Sequence, residues 1–501
     1  MELIVISDLH LSTGYNEDSG RFSRNEDFFF DEEFKRLLEY LQTANAHKKH
    51  LIIAGDMFDF LQVDPDGDKI DEYSEFFEKE HKKKSISSGT DESKQDVTQR
   101  ERTYGLGTGK TKTVWKLGQI VNGHRAFFEA LAHFLSNDNS LSIIPGNHDI
   151  EFHWEEVQNA LREYIAGLFE NISLTEQQQQ EKKESIKTRI EFYSWFYYNK
   201  ELKVYIEHGN QYDRLNSFEY FLYPRLEEDS DMLWLPFGSF FVRYFFNKLE
   251  SSHPFADNIK PITKYAEWAW SEHKLELLKN IWRHFPTMYQ LFKKRKKFSR
   301  TDRLNELNED KLDKLSKELG QPLDAIKEIN SLRAEPLTRS RLSILLFFAG
   351  TIFFFLSLIA LVVLIVLRIF YKFSLWTFLS PLAFLSVPIV KWVYRKFFQK
   401  DFFDQNITKI QKIKENLKDV QIIVFGHTHD PDIRIVTSDC KYFNTGTWTT
   451  VFSEEEKILR EAKQFAFLWI KEDNGKPHAT LFHWNDNLKE PERLKLFKRK
   501  P

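Results

Sequence analysis

One pattern restricts this chain more than any other: five times, a short apolar run stops at a block of Asp, His, Asn and Gly. The runs cover residues 3–6, 51–54, 141–144, 204–206 and 422–425. The blocks after them are Asp8-Leu9-His10, Gly55-Asp56-Met57-Phe58-Asp59, Gly146-Asn147-His148-Asp149, His208-Gly209-Asn210 and Gly426-His427-Thr428-His429. Apolar runs of this length, bounded by turn residues, predict buried strands. Ligand sites in open α/β sheets form beyond the carboxyl ends of the strands. Five such strands would carry Asp, His and Asn to one edge, which describes a metal centre. Helical patterns over 31–42, 114–135 and 154–169 lie between the early strands, and β-rich segments recur at 433–436, 465–470 and 479–484. The alternation predicts an α/β fold with two central sheets flanked by helices.

Hydrolysis of a phosphate ester or anhydride near neutral pH needs a nucleophile stronger than water and charge to stabilise the transition state. Two divalent ions about 3.5–4 Å apart supply both. Such a pair needs one bridging carboxylate and hard or borderline oxygen and nitrogen ligands on either side. Asp8, His10, Asp56, Asn147, His208, His427 and His429 make up that set. His427 and His429, two apart on extended backbone, can serve different ions from one loop. Asp59 either supports this site or caps the element that follows it.

The five blocks resemble those of the calcineurin-like metallophosphoesterase superfamily, whose pattern runs D-x-H, G-D-x-x-D, G-N-H-[DE], H, G-H-x-H. The resemblance implies an αββα sandwich holding two divalent ions, Mn²⁺ first, with Fe or Zn as alternatives. It implies that Asp8, His10, Asp56 and His429 hold one ion, and that Asp56, Asn147, His208 and His427 hold the other, with Asp56 bridging. His148 matches the histidine that contacts the phosphate and protonates the leaving oxygen, and Asp149 the acid that orients it. Asn444 and Gly446 resemble a turn that closes the site in many members, and Asn444 and Asp213 are expected to meet substrate. Within the superfamily, lipid contact and an aromatic insertion resemble the UDP-diacylglucosamine pyrophosphohydrolases. That branch generally carries Arg where His148 stands here.

The formal net charge of −3 gives no global basic field, so nucleic acid is not an expected partner. The single cysteine, Cys440, forms no internal disulfide, which suits a reducing compartment. The apolar start at residues 1–6 is too short for a signal peptide. The composition is aromatic, with 47 Phe and 12 Trp, and much of this lies between residues 218 and 403. Residues 342–367 carry no charge, more than the roughly 20 residues a helix needs to cross a bilayer. Residues 373–390 form a second apolar stretch. Metal blocks lie on both sides of these segments, so an even number of crossings is required. The sequence thus predicts two transmembrane helices inserted in the catalytic domain. Lys and Arg cluster at 293–297 and 391–400, against only Arg368 and Lys372 in the turn, which puts the catalytic domain on the cytoplasmic side.

The expected organisation is a first catalytic part over 1–215 with a polar surface insertion at 64–113. A helical, aromatic-rich insertion follows over 216–340, then the membrane hairpin over 341–395 and the rest of the catalytic domain over 396–501. Residues 105–111 imitate a phosphate loop, but Tyr104 stands where the first glycine belongs, so they read as a flexible glycine loop. The function expected is a membrane-bound two-metal phosphohydrolase with membrane lipids as partners and a phosphorylated, lipid-linked substrate. The aromatic stretch at 237–246 would offer its acyl chains an apolar route. Two other readings compete: a membrane-anchored phosphodiesterase or protein phosphatase with a soluble substrate, and a silent membrane scaffold. The scaffold is disfavoured because no ligand is missing.

Overall fold

Each of the five apolar runs is a strand, and each is buried on both faces, as a central strand covered on two sides must be. The computed structural model describes residues 1–63, 72–73, 75–76, 97–228, 230–247, 302–339, 402–455 and 458–494. In chain order the strands are β1 (Glu2–Ile6), a small hairpin of β2 (Tyr15–Asn16) and β3 (Arg21–Phe22), β4 (Lys49–Ala54), β5 (Ser140–Ile144), β6 (Ile190–Phe192), β7 (Tyr197–Asn199) and β8 (Val204–Ile206). Beyond the long insertion come β9 (Ile422–Phe425), β10 (Asp432–Thr437), β11 (Cys440–Asn444), β12 (Thr450–Glu455), β13 (Ile458–Lys463), β14 (Ala466–Asp473), β15 (Lys476–Asn485) and β16 (Glu490–Arg493).

A seven-stranded sheet runs β16-β15-β14-β1-β4-β5-β6, and a five-stranded sheet runs β10-β11-β9-β8-β7. β1, β4, β5 and β6 are parallel, while β14 lies antiparallel on the other side of β1. In the second sheet β8, β9 and β11 are parallel. Period-two alternation sorts the side chains into layers. Leu3, Val5, Ile52, Ala54 and Ile144 of the first sheet meet Val204, Ile206, Ile422, Val424 and Phe443 of the second in one apolar cluster. The intervening Ile4, Ile6, Leu51, Ile53, Ile143, Ile423 and Phe425 turn outward, into the core formed with helices. Helix Asp31–Thr43 adds Phe34, Leu37, Leu38 and Leu41 to that outer core, and helix Arg125–Ser136 adds Phe127, Leu131 and Phe134. Parallel strands in both sheets therefore present their carboxyl ends together, and the five blocks occupy those ends.

The structure corrects several expectations. Among the described residues no helix is long and apolar enough to cross a membrane. The hairpin expected over 341–395 lies outside the described residues. The fold is thus mixed α/β with several sheets, and the two-pass membrane placement with a cytoplasmic catalytic domain has no support. That expectation rested on uncharged length, which is a property of composition and does not by itself make a continuous helix. The longest described helix, Asp302–Leu319, is charged along its length.

The single helix read over 114–135 is two, Lys110–Gly123 and Arg125–Ser136. They part at His124, whose buried ring lies 3.3 Å from Glu26 and 3.0 Å from Asp31. The glycine loop is not a flexible surface feature, since residues 104–109 are buried. Arg243 donates to the carbonyls of Gly105 and Leu106 (2.7 and 2.8 Å), and Trp154 Nε1 donates to Thr108 O (2.9 Å). Aromatic side chains of the stretch read as an acyl route, among them Phe237, Phe240 and Tyr244, are buried. Phe240 and Tyr244 belong to the main core. Their apolar surface is already spent on packing.

Candidate metal centre

The loops after β1 and β4 are joined by backbone hydrogen bonds: Asp8 N to Gly55 O (3.1 Å), Leu9 N and His10 N to Asp56 O (2.9 and 3.0 Å), and Leu11 N to Met57 O (3.0 Å). This pairing brings Asp8, His10 and Asp56 together. It demands unusual backbone. Asp8, His10, Asp56, His427 and His429 all have positive φ, between 52° and 68°, a region that costs non-glycine residues of order 1 kcal/mol or more. Gly146 shows why a glycine opens its block: a Cβ there would lie 2.1 Å from Asp56 Oδ1.

Three overlapping groups could hold a metal ion: Asp8, His10 and His429; His10, Asp56 and His148; and Asp56, His208 and His427. In the first, His10 Nε2 and His429 Nε2 are 3.0 Å apart, and His429 Nε2 is 3.2 Å from Asp8 Oδ1. Ligands at about 2.0–2.2 Å from one ion stand roughly 3.0–3.4 Å from each other, so the spacing fits. In the third, His208 Nε2 is 3.0 Å from Asp56 Oδ2, and the other ring nitrogen, Nδ1, donates to Ala54 O (2.9 Å). Asp56 Oδ2 is also 3.9 Å from His10 Nε2, which places it between the two groups. Asn147 sits between Gly146, packed on Asp56, and His148, whose N–H donates to Asp56 Oδ1 (2.9 Å). Asn147 Oδ1 is a buried acceptor with no hydrogen-bond donor, and Asp8 Oδ1 has only the histidine rings beside it. Such orphans are costly in a core unless something else satisfies them, and a cation does.

Electrostatics point the same way. Burial alone would raise the Asp8 carboxyl, but His429 and His10 beside it hold it well below the usual carboxylate range. Asp56 is likewise depressed, against its burial, by His208 and His148. Burial disfavours a charged His208, yet Asp56 lifts its pKa to about 9, and His10 is also raised well above the ordinary histidine value. Buried carboxylates thus draw positive charge onto these rings. A divalent cation bound there would take over that role by displacing the ring protons.

The structure brings together Asp8, His10, Asp56, His208, His427 and His429, and Asn147 joins them through its neighbours. It reassigns the acid expected to orient His148. Asp59 Oδ2 accepts from His148 Nδ1 at 2.5 Å, and its other oxygen takes the amides of Leu61 and Gln62. Asp149 instead accepts from the amides of Met57 (2.8 Å), Phe58 (3.4 Å) and Gly146 (2.6 Å), tying two blocks together, and burial lifts its pKa to about 7. The G-D-x-x-D spacing already contained Asp59; what the sequence lacked was its direction. Asn444 is buried, with Nδ2 on Gly426 O (2.7 Å) and Oδ1 accepting from Gly446 N (3.0 Å), so both of its amide atoms brace the loop. Asp213 touches His427 Nε2 at 3.1 Å. Sequence reasoning missed Ser7, whose hydroxyl donates to Asp8 Oδ2 (2.5 Å), and Ser239, whose hydroxyl donates to Asn147 O (2.9 Å). Neither serine carries a sequence signal.

No protein-family model matches this sequence, and no curated protein or solved structure is significantly similar to it. The functional reading therefore stands on the residues and their geometry.

Proposed function

We propose that the protein is a two-metal phosphohydrolase that cleaves a phosphate ester or anhydride with water. The observation that carries this reading is the place of Asp56 Oδ2, between His208 of one ligand group and His10 of the other (3.0 and 3.9 Å). Asp8, His10, Asp56 and His429 would hold one divalent ion, and Asp56, Asn147, His208 and His427 the second. Mn²⁺ is the first candidate, with Fe and Zn next. Bound there, such a pair supplies Lewis acidity and a water nucleophile at neutral pH.

The chain supplies the rest. His148 is held through Nδ1 by Asp59, which leaves Nε2 to carry a proton to the leaving oxygen. Burial works against a charged His148, but Asp59 and Asp56 raise its pKa, favouring the protonated acid. Asp149 keeps the Gly146 and Asp56 blocks in register. The test is metal analysis of the purified protein, followed by phosphorus NMR of its products from a phosphomonoester, a phosphodiester and a nucleoside diphosphate ester. Two ions per chain and one hydrolysed substrate class are expected. Fewer than two ions, or no turnover on any of the three, would overturn the reading.

A further inference from the structure

We infer that Asp213 is the positioning residue for the second ion: it fixes the ring of His427 through Nε2, so that the ring serves the Asp56–His208 group through Nδ1. The inference rests on the two-metal reading above. A histidine that holds a metal needs its other ring nitrogen fixed by an acceptor, which sets both tautomer and orientation. His208 already has that arrangement, with Nδ1 on Ala54 O. His427 has its counterpart in Asp213, 3.1 Å from Nε2.

The carboxylate is itself held. Asp213 Oδ1 accepts from Leu215 N (3.0 Å), and Oδ2 also accepts from Asn216 Nδ2 (2.7 Å). Its loop is clamped from the insertion, where Ala334 N donates to Gln211 O (2.7 Å) and Leu337 N to Arg214 O (2.9 Å). Both donors follow helix Leu323–Ser331. The insertion is thereby connected to the second half of the site: residues 334–337 hold the Asp213 loop, Asp213 holds His427, and His427 N donates to Asp8 Oδ2 (2.9 Å).

The test compares wild type, Asp213→Ala, Asp213→Asn, His427→Ala and the Asp213→Ala/His427→Ala double variant. Mn²⁺ stoichiometry and affinity are measured by calorimetric titration beside each melting temperature. Wild type should bind two ions. Asp213→Ala should keep one ion at wild-type affinity and weaken the other by about 10–100-fold. Asp213→Asn, whose amide oxygen can still accept from Nε2–H, should lose less, but at least threefold. The double variant should lose no more than His427→Ala alone, because Asp213 acts through that ring. Unchanged second-ion affinity in Asp213→Ala, or losses that add in full, would overturn the inference while leaving the two-metal reading intact. If Asp213→Ala does not fold, unchanged affinity in Asp213→Asn would overturn it. A wild-type protein binding fewer than two ions would overturn the reading itself, and the inference with it.

Discussion

On the proposed reading, His148 and Asp59, joined at 2.5 Å, would separate proton delivery from metal holding within a single cluster. His148→Ala should therefore keep its metal content while turnover falls by about 10²–10⁴. Asp59→Ala should also keep metal and lose turnover, since the ring loses its anchor. Metal analysis and rates on the same preparations check both, and a normally active His148→Ala would remove that residue from the mechanism. Asp56 should behave differently: Asp56→Asn should lose metal and activity together, as the carboxylate between the two groups. Metal affinity should also follow pH with a definite sign. His208, raised to about 9, and His10, also raised, must give up protons to become ligands. Affinity should rise as pH rises, by about tenfold per unit for each displaced proton, until the pH passes about 9. Titration in buffers of different ionisation enthalpy would show the released protons, and pH-independent affinity would contradict the ligand roles of these rings.

At the level of elements, much was legible because the signals were local. The run at 422–425 is β9 to the residue, and residues 3–6 fall within β1, since a buried strand needs only a short apolar stretch ending in turn residues. The ion pairs that hold His124 at the break were not legible, because Glu26 and Asp31 lie far away in sequence. Nor was the burial of Gly105 and Leu106, which depends on Arg243, more than a hundred residues later. In the site, the residues that cluster could be read from the blocks. The exchange of roles between Asp59 and Asp149 could not, because spacing shows that two acids are near a histidine without showing which one faces it. Removing Arg243 tests the long-range tie. Arg243→Ala strands two buried carbonyls and should destabilise the fold by about 1–3 kcal/mol, measured by urea unfolding. A loss below about 0.5 kcal/mol would mean that the glycine loop holds its place without it.

Over the whole molecule, His124 gives stability a pH dependence of its own. Burial disfavours its charge, but Glu26 and Asp31 raise its pKa from 6.5 to about 10 in the fold. The contribution is therefore complete below pH 6.5 and is lost as pH rises through about 10. Melting temperature measured with a chelator should fall across that window in wild type, and His124→Gln should melt lower yet lack the alkaline fall. The topology has another outcome, which concerns time. β1 lies between β4 and β14, and β8 lies between β7 and β9. A growing chain that ends before residue 422 thus holds two of the central strands with one edge unpaired and lacks the loop of His427 and His429. Pairings this distant in sequence close late and slowly. Until then the exposed edges are targets for aggregation. The candidate metal centre is among the last things this polypeptide can complete, and an emerging chain should acquire tight metal binding only once β9 and the loop behind it have been made.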